Sequence, residues 1–74
     1  MSAADERKHL IVRFVGEFRE TYGFAPTLRQ IADSCGYASV AGVHNAVWAL
    51  IAEGRLAGSP GRSLHAPGQA RTDG

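Results

Sequence analysis

The sequence predicts a mostly α-helical domain with a small β element: three helices followed by a two-stranded β-hairpin. Two observations support this fold class. Apolar residues recur at helical spacing in three segments that glycine and proline residues separate. A glycine-rich stretch follows, with a short apolar run on each side of a turn motif. A chain of 74 residues has room for one core and therefore for one domain.

The first helix is predicted over about 5–22 from its apolar spacing. Its apolar residues recur at steps of one, three and four on a single stripe: Leu10, Ile11, Phe14, Val15, Phe18 and Tyr22. Charged residues occupy the other faces. Gly23 and Pro26 then end the helix, because glycine favours the position after a helix and proline cannot continue one.

Two shorter helices are predicted over about 28–35 and 40–53. Thr27 and Gln30 have the spacing of a capping box at the start of the second helix, and Gly36 ends it. Ser39 is a suitable N-cap for the third helix. Val47 is at the centre of its predicted buried face, and Asn45 lies on the opposite side. The other residues on the predicted buried face are Val40, Val43, Leu50 and Ile51.

The glycine-rich stretch predicts a β-hairpin over about 55–65 around the turn Gly58-Ser59-Pro60-Gly61. We therefore expect a domain over residues 1–65 and a flexible C-terminal tail over 66–74, where proline, glycine, glutamine and threonine predominate. The segment from Gly54 to Thr72 contains three arginines and no acidic residue. This basic stretch contrasts with the net charge of only +1 for the chain.

Several classes of function are not supported by the composition. One cysteine cannot form an intramolecular disulfide, and three scattered histidines do not have zinc-ligand spacing, so we expect no metal and no cofactor. No nucleophile–base set or phosphate-binding glycine loop is present, so we expect neither an enzyme nor a small-molecule substrate. No apolar run approaches the roughly 20 residues of a membrane span, and no signal peptide is recognisable. We expect a cytoplasmic protein without a membrane partner.

Two short helices joined by a glycine-bearing turn, after one helix and before a basic hairpin, are typical of a winged helix-turn-helix domain. In such a domain the third helix enters the major groove of double-stranded DNA and the hairpin, or wing, contacts phosphate. Asn45 carries the paired donor and acceptor that adenine requires, although a solvated helix residue would look the same. Thr27 and Arg29, at the start of the second helix, are candidate phosphate contacts, and Thr27 is first of all a cap.

The segments Phe24-Ala25-Pro26-Thr27-Leu28-Arg29-Gln30-Ile31-Ala32, Gly36-Tyr37-Ala38-Ser39 and Ala49-Leu50-Ile51-Ala52-Glu53-Gly54-Arg55-Leu56 resemble the N-terminal DNA-binding domain of the LexA repressor family. The resemblance extends without gaps from about Leu10 to Leu64. It implies a domain that represses transcription by binding an operator. The family's self-cleaving protease domain has no counterpart in the sequence, so we expect neither autoproteolytic induction nor the dimer interface of that domain.

The resemblance also implies which residues face DNA. Those at the family's major-groove surface are Ser39, Ala41, Gly42, His44 and Asn45. Arg29 and the wing around Arg62 match positions near the DNA backbone, and Arg55 is a further electrostatic candidate. Two positions depart from the family: Val40 stands where proline is frequent, and Trp48 where lysine is usual.

Two alternatives remain open at the level of the sequence. The neutral third helix and Trp48 also fit an alternative function, a winged helix that docks onto another protein. Trp48 lies about 100° from the core centre, so we expect it to be partly exposed, either packing on the wing or first helix or serving as an interface residue. For a DNA-binding domain of this size, a second copy of the chain or a second regulatory protein is also a partner to consider.

Overall fold

The computed structural model describes residues 3–60 and 64–66 and contains three helices. They are α1 (Ala3–Tyr22), α2 (Leu28–Cys35) and α3 (Val40–Ala52). All three predicted helices are confirmed; α1 begins two residues earlier than predicted and α3 ends one residue earlier. Among the described residues no single helix is long and apolar enough to cross a membrane, although α2 and α3, bent by 97° at the break between them, reach that length and composition as a pair.

Short-range hydrogen bonds set both ends of α2. Thr27 Oγ1 accepts from the Gln30 N–H at 3.1 Å, and Gln30 Oε1 accepts from the Thr27 N–H at 2.8 Å, which forms the predicted capping box. Gly36 ends the helix in the left-handed conformation with φ 77°, where its N–H donates to the Ala32 carbonyl. The chain then turns into α3 within four residues, which fixes the position of α3 relative to α2.

The core lies where the three helices and the segment after α3 meet. Among the described residues, ten hydrophobic ones are buried there: Ile11, Val15, Ile31, Ala32, Cys35, Val43, Val47, Leu50, Leu56 and Leu64. The predicted centre of the α3 face, Val47, is fully buried, and so is Leu50. Burial raises the pKa of the Cys35 thiol, as expected for a core cysteine.

The apolar stripe of α1 is rotated relative to its predicted orientation. Leu10 and Tyr22 are 45% and 59% exposed, whereas Arg19 is only 8% exposed. The buried line of α1 instead runs through Ile11, Val15 and Arg19 at steps of four. The aromatic rings near the end of α1 pack on one another at the surface, with 4.5 Å between the ring centroids of Phe18 and Tyr22. The placement of Leu10 and Tyr22 with the buried residues was therefore wrong.

Val40 is a second correction. It was placed on the buried face of α3 but is 39% exposed, because as the first residue of the helix it lies beyond the edge of the core.

The segment after α3 returns along α1. Ala57 and His65 form one antiparallel bridge. The Ala57 nitrogen lies 2.9 Å from the His65 carbonyl oxygen, and the His65 nitrogen lies 3.1 Å from the Ala57 carbonyl oxygen. Leu56 and Leu64 are buried beside them, and the guanidinium of Arg19 donates to the Leu64 carbonyl at 3.3 Å. The described part of this segment contains no strand, and residues 61–63, including Arg62, lie outside it. The two-stranded hairpin stays a prediction.

Candidate nucleic-acid interface

The geometry of α2 and α3 is that of a helix-turn-helix. The two helices are bent by 97° at their break, within the range of about 90–120° that is typical of this motif. The connector from Gly36 to Ser39 needs only four residues, because Gly36 turns the chain and Ser39 immediately caps α3. The N-terminal half of α3 is thereby placed at an outer surface of the domain.

The outer face of α3 carries no acidic or basic residue apart from one histidine, and combines small side chains with two aromatic rings. Val43, Val47 and Leu50 are buried, so the helix turns the opposite side to solvent. The exposed residues on that side are Ala41, His44, Asn45, Trp48 and Ala52. Three of the proposed base-contacting residues, Ala41, His44 and Asn45, therefore lie on one exposed surface within two turns of the helix N-terminus.

Ser39 and Gly42 have local structural tasks at the start of this helix. Ser39 Oγ accepts from the Gly42 N–H at 3.3 Å, which caps the helix. The nearest side chain to Gly42 is Tyr37, and a Cβ at residue 42 would lie 3.4 Å from its Cδ2, an ordinary van der Waals distance. The hydroxyl of Ser39 is held at the tip of the helix by its hydrogen bond.

Trp48 and His44 form a pair on the exposed face of α3. Trp48 Nε1–H donates to His44 Nε2 at 3.1 Å, and the two rings meet edge to face with 6.2 Å between their centroids. Trp48 is 46% exposed, which confirms its predicted partial exposure. The spacing of four residues places both side chains on the same face, one turn apart.

A shallow cleft of about 240 Å³ lies between α2 and the N-terminus of α3. Its lining includes Arg29 and Asp33 from α2, and Tyr37, Ser39 and Val40 from the connector and α3. The structure thus brings Arg29 close to the proposed base-contacting end of α3, while Thr27 caps the neighbouring helix terminus. Asp33 is an opposing charge in the same cleft, so Arg29 alone gives this surface no net positive charge.

Arg7 is a candidate that the sequence did not single out. Its guanidinium carbon lies 5.8 Å from the centroid of the Tyr37 ring, and the side chain is exposed. Tyr37 also lines the cleft that contains Arg29, so two arginines flank the helix-turn-helix connector. Arg7 and Tyr37 are thirty residues apart in the chain, and no local pattern links them; only the packing of α1 against the connector brings them together.

Arg55 lies at the other end of α3. Arg55 Nη1 is 3.6 Å from a carboxylate oxygen of Glu53, whose second oxygen accepts from Lys8 Nζ at 2.9 Å. The hydrogen bond from Lys8, followed by the weaker influence of Arg55, lowers the pKa of Glu53. A 13-residue helix is about 20 Å long, so Arg55 is not brought together with Ser39, His44 and Asn45.

The charges of this surface are few. Residues 27–52 contain one arginine and one aspartate, Arg29 and Asp33, and no other formally charged side chain. The surface can therefore offer hydrogen bonds and close approach, but almost no net charge of its own. No group of three or more potential metal-ligating side chains is present in the part of the chain that the structure describes.

Comparison with known families identifies the domain. Residues 1–64 match the family model described as LexA DNA binding domain, which covers all three helices and the segment up to Leu64. This match confirms the resemblance that the sequence motifs indicated. No curated protein and no solved structure gave a significant match to the chain.

Proposed function

The chain belongs to the LexA DNA-binding domain family, and we propose that it is a sequence-specific regulator of transcription that represses by binding double-stranded DNA. The family match together with the exposed, sterically open face of α3 carries this proposal. A helix-turn-helix bent by 97°, whose α3 exposes the small side chains of Ala41 and Asn45 near its N-terminus, suits insertion into a major groove about 12 Å wide.

In the proposed complex, α3 reads the bases. Asn45 is exposed and can pair bidentately with adenine N6 and N7, and His44 offers a hydrogen bond from the same face. Ala41 offers only its methyl group, which can contact thymine C5-methyl, and Gly42 and Ser39 let the end of the helix approach closely. This division makes Asn45 the main determinant of base specificity.

In the proposed complex, residues on both sides of α3 contact the phosphates of the DNA backbone. Arg29 and Arg7 flank the connector, and Thr27 lies at the N-terminus of α2, where backbone N–H groups attract anions. Arg62 lies in the predicted wing and Arg55 follows α3, where Glu53 partly neutralises it. Arg29, Arg7 and Arg62 are accordingly the phosphate contacts that we expect to matter most.

A single domain of this kind buries only about 600–1,000 Å² on DNA. We therefore propose that it acts with a partner on adjacent sites, either a second copy of the chain or a second regulatory protein. Two recognition helices about one DNA turn apart would double the number of base contacts.

The decisive experiment selects bound sequences from a random duplex pool and then compares variants on the selected site and on scrambled DNA. Asn45→Ala should lose about 1–3 kcal/mol of discrimination while its affinity for scrambled DNA stays the same. Arg62→Ala should weaken binding to both duplexes equally and lower the salt slope by about one. Ser34→Ala is the matched control, because it also truncates an exposed polar side chain. Ser34 lies on the side of α2 that faces Leu10 and Arg13 of α1, and it is not part of the outer face of α3.

Selection that enriches no sequence would refute sequence-specific binding. If Asn45→Ala discriminates as well as the wild type, base readout lies elsewhere in the domain.

The alternative is a winged helix that docks onto another protein, and the 46% exposure of Trp48 is the observation that favours it. Such a module would not bind duplex DNA in a salt-dependent manner. A salt series on the selected or any other duplex therefore distinguishes the two functions.

A further inference from the structure

Trp48 donates a hydrogen bond to His44 on the outer face of α3, with Nε1 and Nε2 3.1 Å apart. Indole Nε1 is a donor only, so Nε2 of His44 must accept and cannot carry a proton. In the neutral imidazole the proton then resides on Nδ1. Because this hydrogen bond is made within one helix, it can select the tautomer of His44 before any ligand arrives.

From this pair we infer that Trp48 is a positioning residue for base readout, which holds His44 as a hydrogen-bond donor through Nδ1–H. The inference rests on the proposed function, since it assigns a specificity to the same surface. With Nε2 occupied, the neutral ring has one group left for DNA, and that group can only donate. Guanine presents two acceptors in the major groove, N7 and O6, whereas cytosine presents the donor N4–H₂. We therefore expect His44 to favour guanine and to disfavour cytosine at the base pair that it faces.

The edge-to-face arrangement of the two rings adds a second constraint. The ring planes meet at 73° with 6.2 Å between centroids, so the indole restricts the swing of the imidazole as well as its tautomer. An exposed histidine without such a neighbour would sample several rotamers and would lose that freedom on binding. Trp48 thus reduces the entropy cost of the His44 contact and makes the contact selective.

The first experiment measures the tautomer of His44 in the free protein, without DNA. In long-range ¹H–¹⁵N spectra of the free protein at about pH 8.5, where free imidazole is neutral, wild-type His44 should be mainly in the Nδ1–H form. Trp48→Phe keeps an aromatic ring but removes the donor, so His44 should shift towards the Nε2–H form that free imidazole side chains favour. His9 on α1 is the internal control and should not change. Thermal melts establish that the variant remains folded.

The second arm is a double-mutant cycle on DNA. In an otherwise wild-type background, Trp48→Phe should reduce the preference for guanine over cytosine at one base pair of the selected site by about three- to tenfold, which is the effect of one net hydrogen bond. Affinity for scrambled DNA should stay the same. In a His44→Ala background, Trp48→Phe should have no further effect on this preference, because the residue through which it acts is gone.

The outcomes distinguish the inference from the proposed function. An unchanged tautomer in Trp48→Phe would overturn the inference while leaving the DNA-binding proposal intact. A shifted tautomer with equal losses on all duplexes, or with the same loss in the His44→Ala background, would overturn the readout role of the pair. Failure of the wild type to bind any duplex would refute the proposed function and the readout role together.

Discussion

Replacement of Leu50 by alanine tests the packing that places α3. Leu50 is fully buried with Val43, Val47 and Ile11 in the single core of the domain. The substitution removes three carbon atoms, which corresponds to about 2.4 kcal/mol of lost transfer free energy at about 0.8 kcal/mol per methylene. The cavity left behind adds to this, so the free energy of unfolding should fall by about 2–5 kcal/mol.

A loss of this size is large for so small a domain. At about 0.05–0.15 kcal/mol per residue, a chain of this length has a free energy of unfolding of roughly 4–11 kcal/mol. Each kcal/mol corresponds to about 4–8 °C in Tm for a domain of this size, so Leu50→Ala should melt roughly 8–40 °C lower. Urea denaturation followed by far-UV circular dichroism, together with thermal melts, measures both quantities.

Leu10→Ala is the matched control, because it makes the same chemical change on α1 at a side chain that is 45% exposed. It should lower the free energy of unfolding by only about 1 kcal/mol, because a side chain that is partly exposed gains only part of the transfer free energy on folding. Equal losses for the two variants, or a loss below about 1 kcal/mol for Leu50→Ala, would show that the buried faces of α1 and α3 are assigned incorrectly.

Two further substitutions test contacts that join distant parts of the chain. Arg19→Met removes the buried guanidinium that donates to the Leu64 carbonyl at 3.3 Å, so the bridge between Ala57 and His65 should open more often. Hydrogen exchange should then show the His65 amide exchanging with solvent about tenfold faster, whereas the amides of α2, which serve as the reference, should not change. Glu53→Gln removes the carboxylate whose pKa the Lys8 hydrogen bond lowers. A carboxyl whose pKa is lower in the folded than in the unfolded protein stabilises the fold at pH values above its unfolded-state pKa, about 4.3 for glutamate. Glu53→Gln should therefore have a lower Tm than the wild type at neutral pH, and this difference should vanish as the pH falls through the folded-state pKa of Glu53. A deficit that persists at the lowest pH would contradict this electrostatic origin.

The helix boundaries could be predicted because their signals are local. The capping box joins Thr27 and Gln30 three residues apart, and the Ser39 cap acts on the Gly42 N–H, so the residues that decide these boundaries lie within one turn. The buried face of α3 followed from the same short-range periodicity. The outer position of Asn45 was predictable as the complement of that face, whereas His44 was identified only through the family resemblance.

The orientation of α1 could not be predicted from its own residues. Periodicity made Leu10 and Tyr22 members of the apolar stripe, whereas the structure buries Arg19 and leaves both of them exposed. The reason lies 45 residues away, where the Leu64 carbonyl accepts the guanidinium hydrogen bond that lets an arginine occupy the core edge. A buried cation depends on a partner that hydropathy along one helix does not identify.

The same limit applies in part to the candidate interface. Arg7 and Tyr37 meet only through tertiary packing, so the extra arginine beside the connector was missed. The pair of His44 and Trp48, in contrast, is separated by four residues on one helix, and that spacing was visible in the sequence. Side-chain pairs at helical spacing on an exposed face are thus a signal that sequence alone can supply.

The small number of charges near α3 has a consequence for the proposed function. If Arg7, Arg29 and Arg62 each neutralise one phosphate, the logarithm of the binding constant should fall with the logarithm of salt concentration with a slope of only about −3 per domain. Proteins that make 6–10 phosphate contacts have slopes two to three times steeper and correspondingly stronger non-specific binding. A domain with weak electrostatic attraction is captured less by random DNA, but its affinity for a single half-site is also low. Discrimination then depends on the uncharged face of α3, and sufficient affinity requires a partner bound at an adjacent half-site.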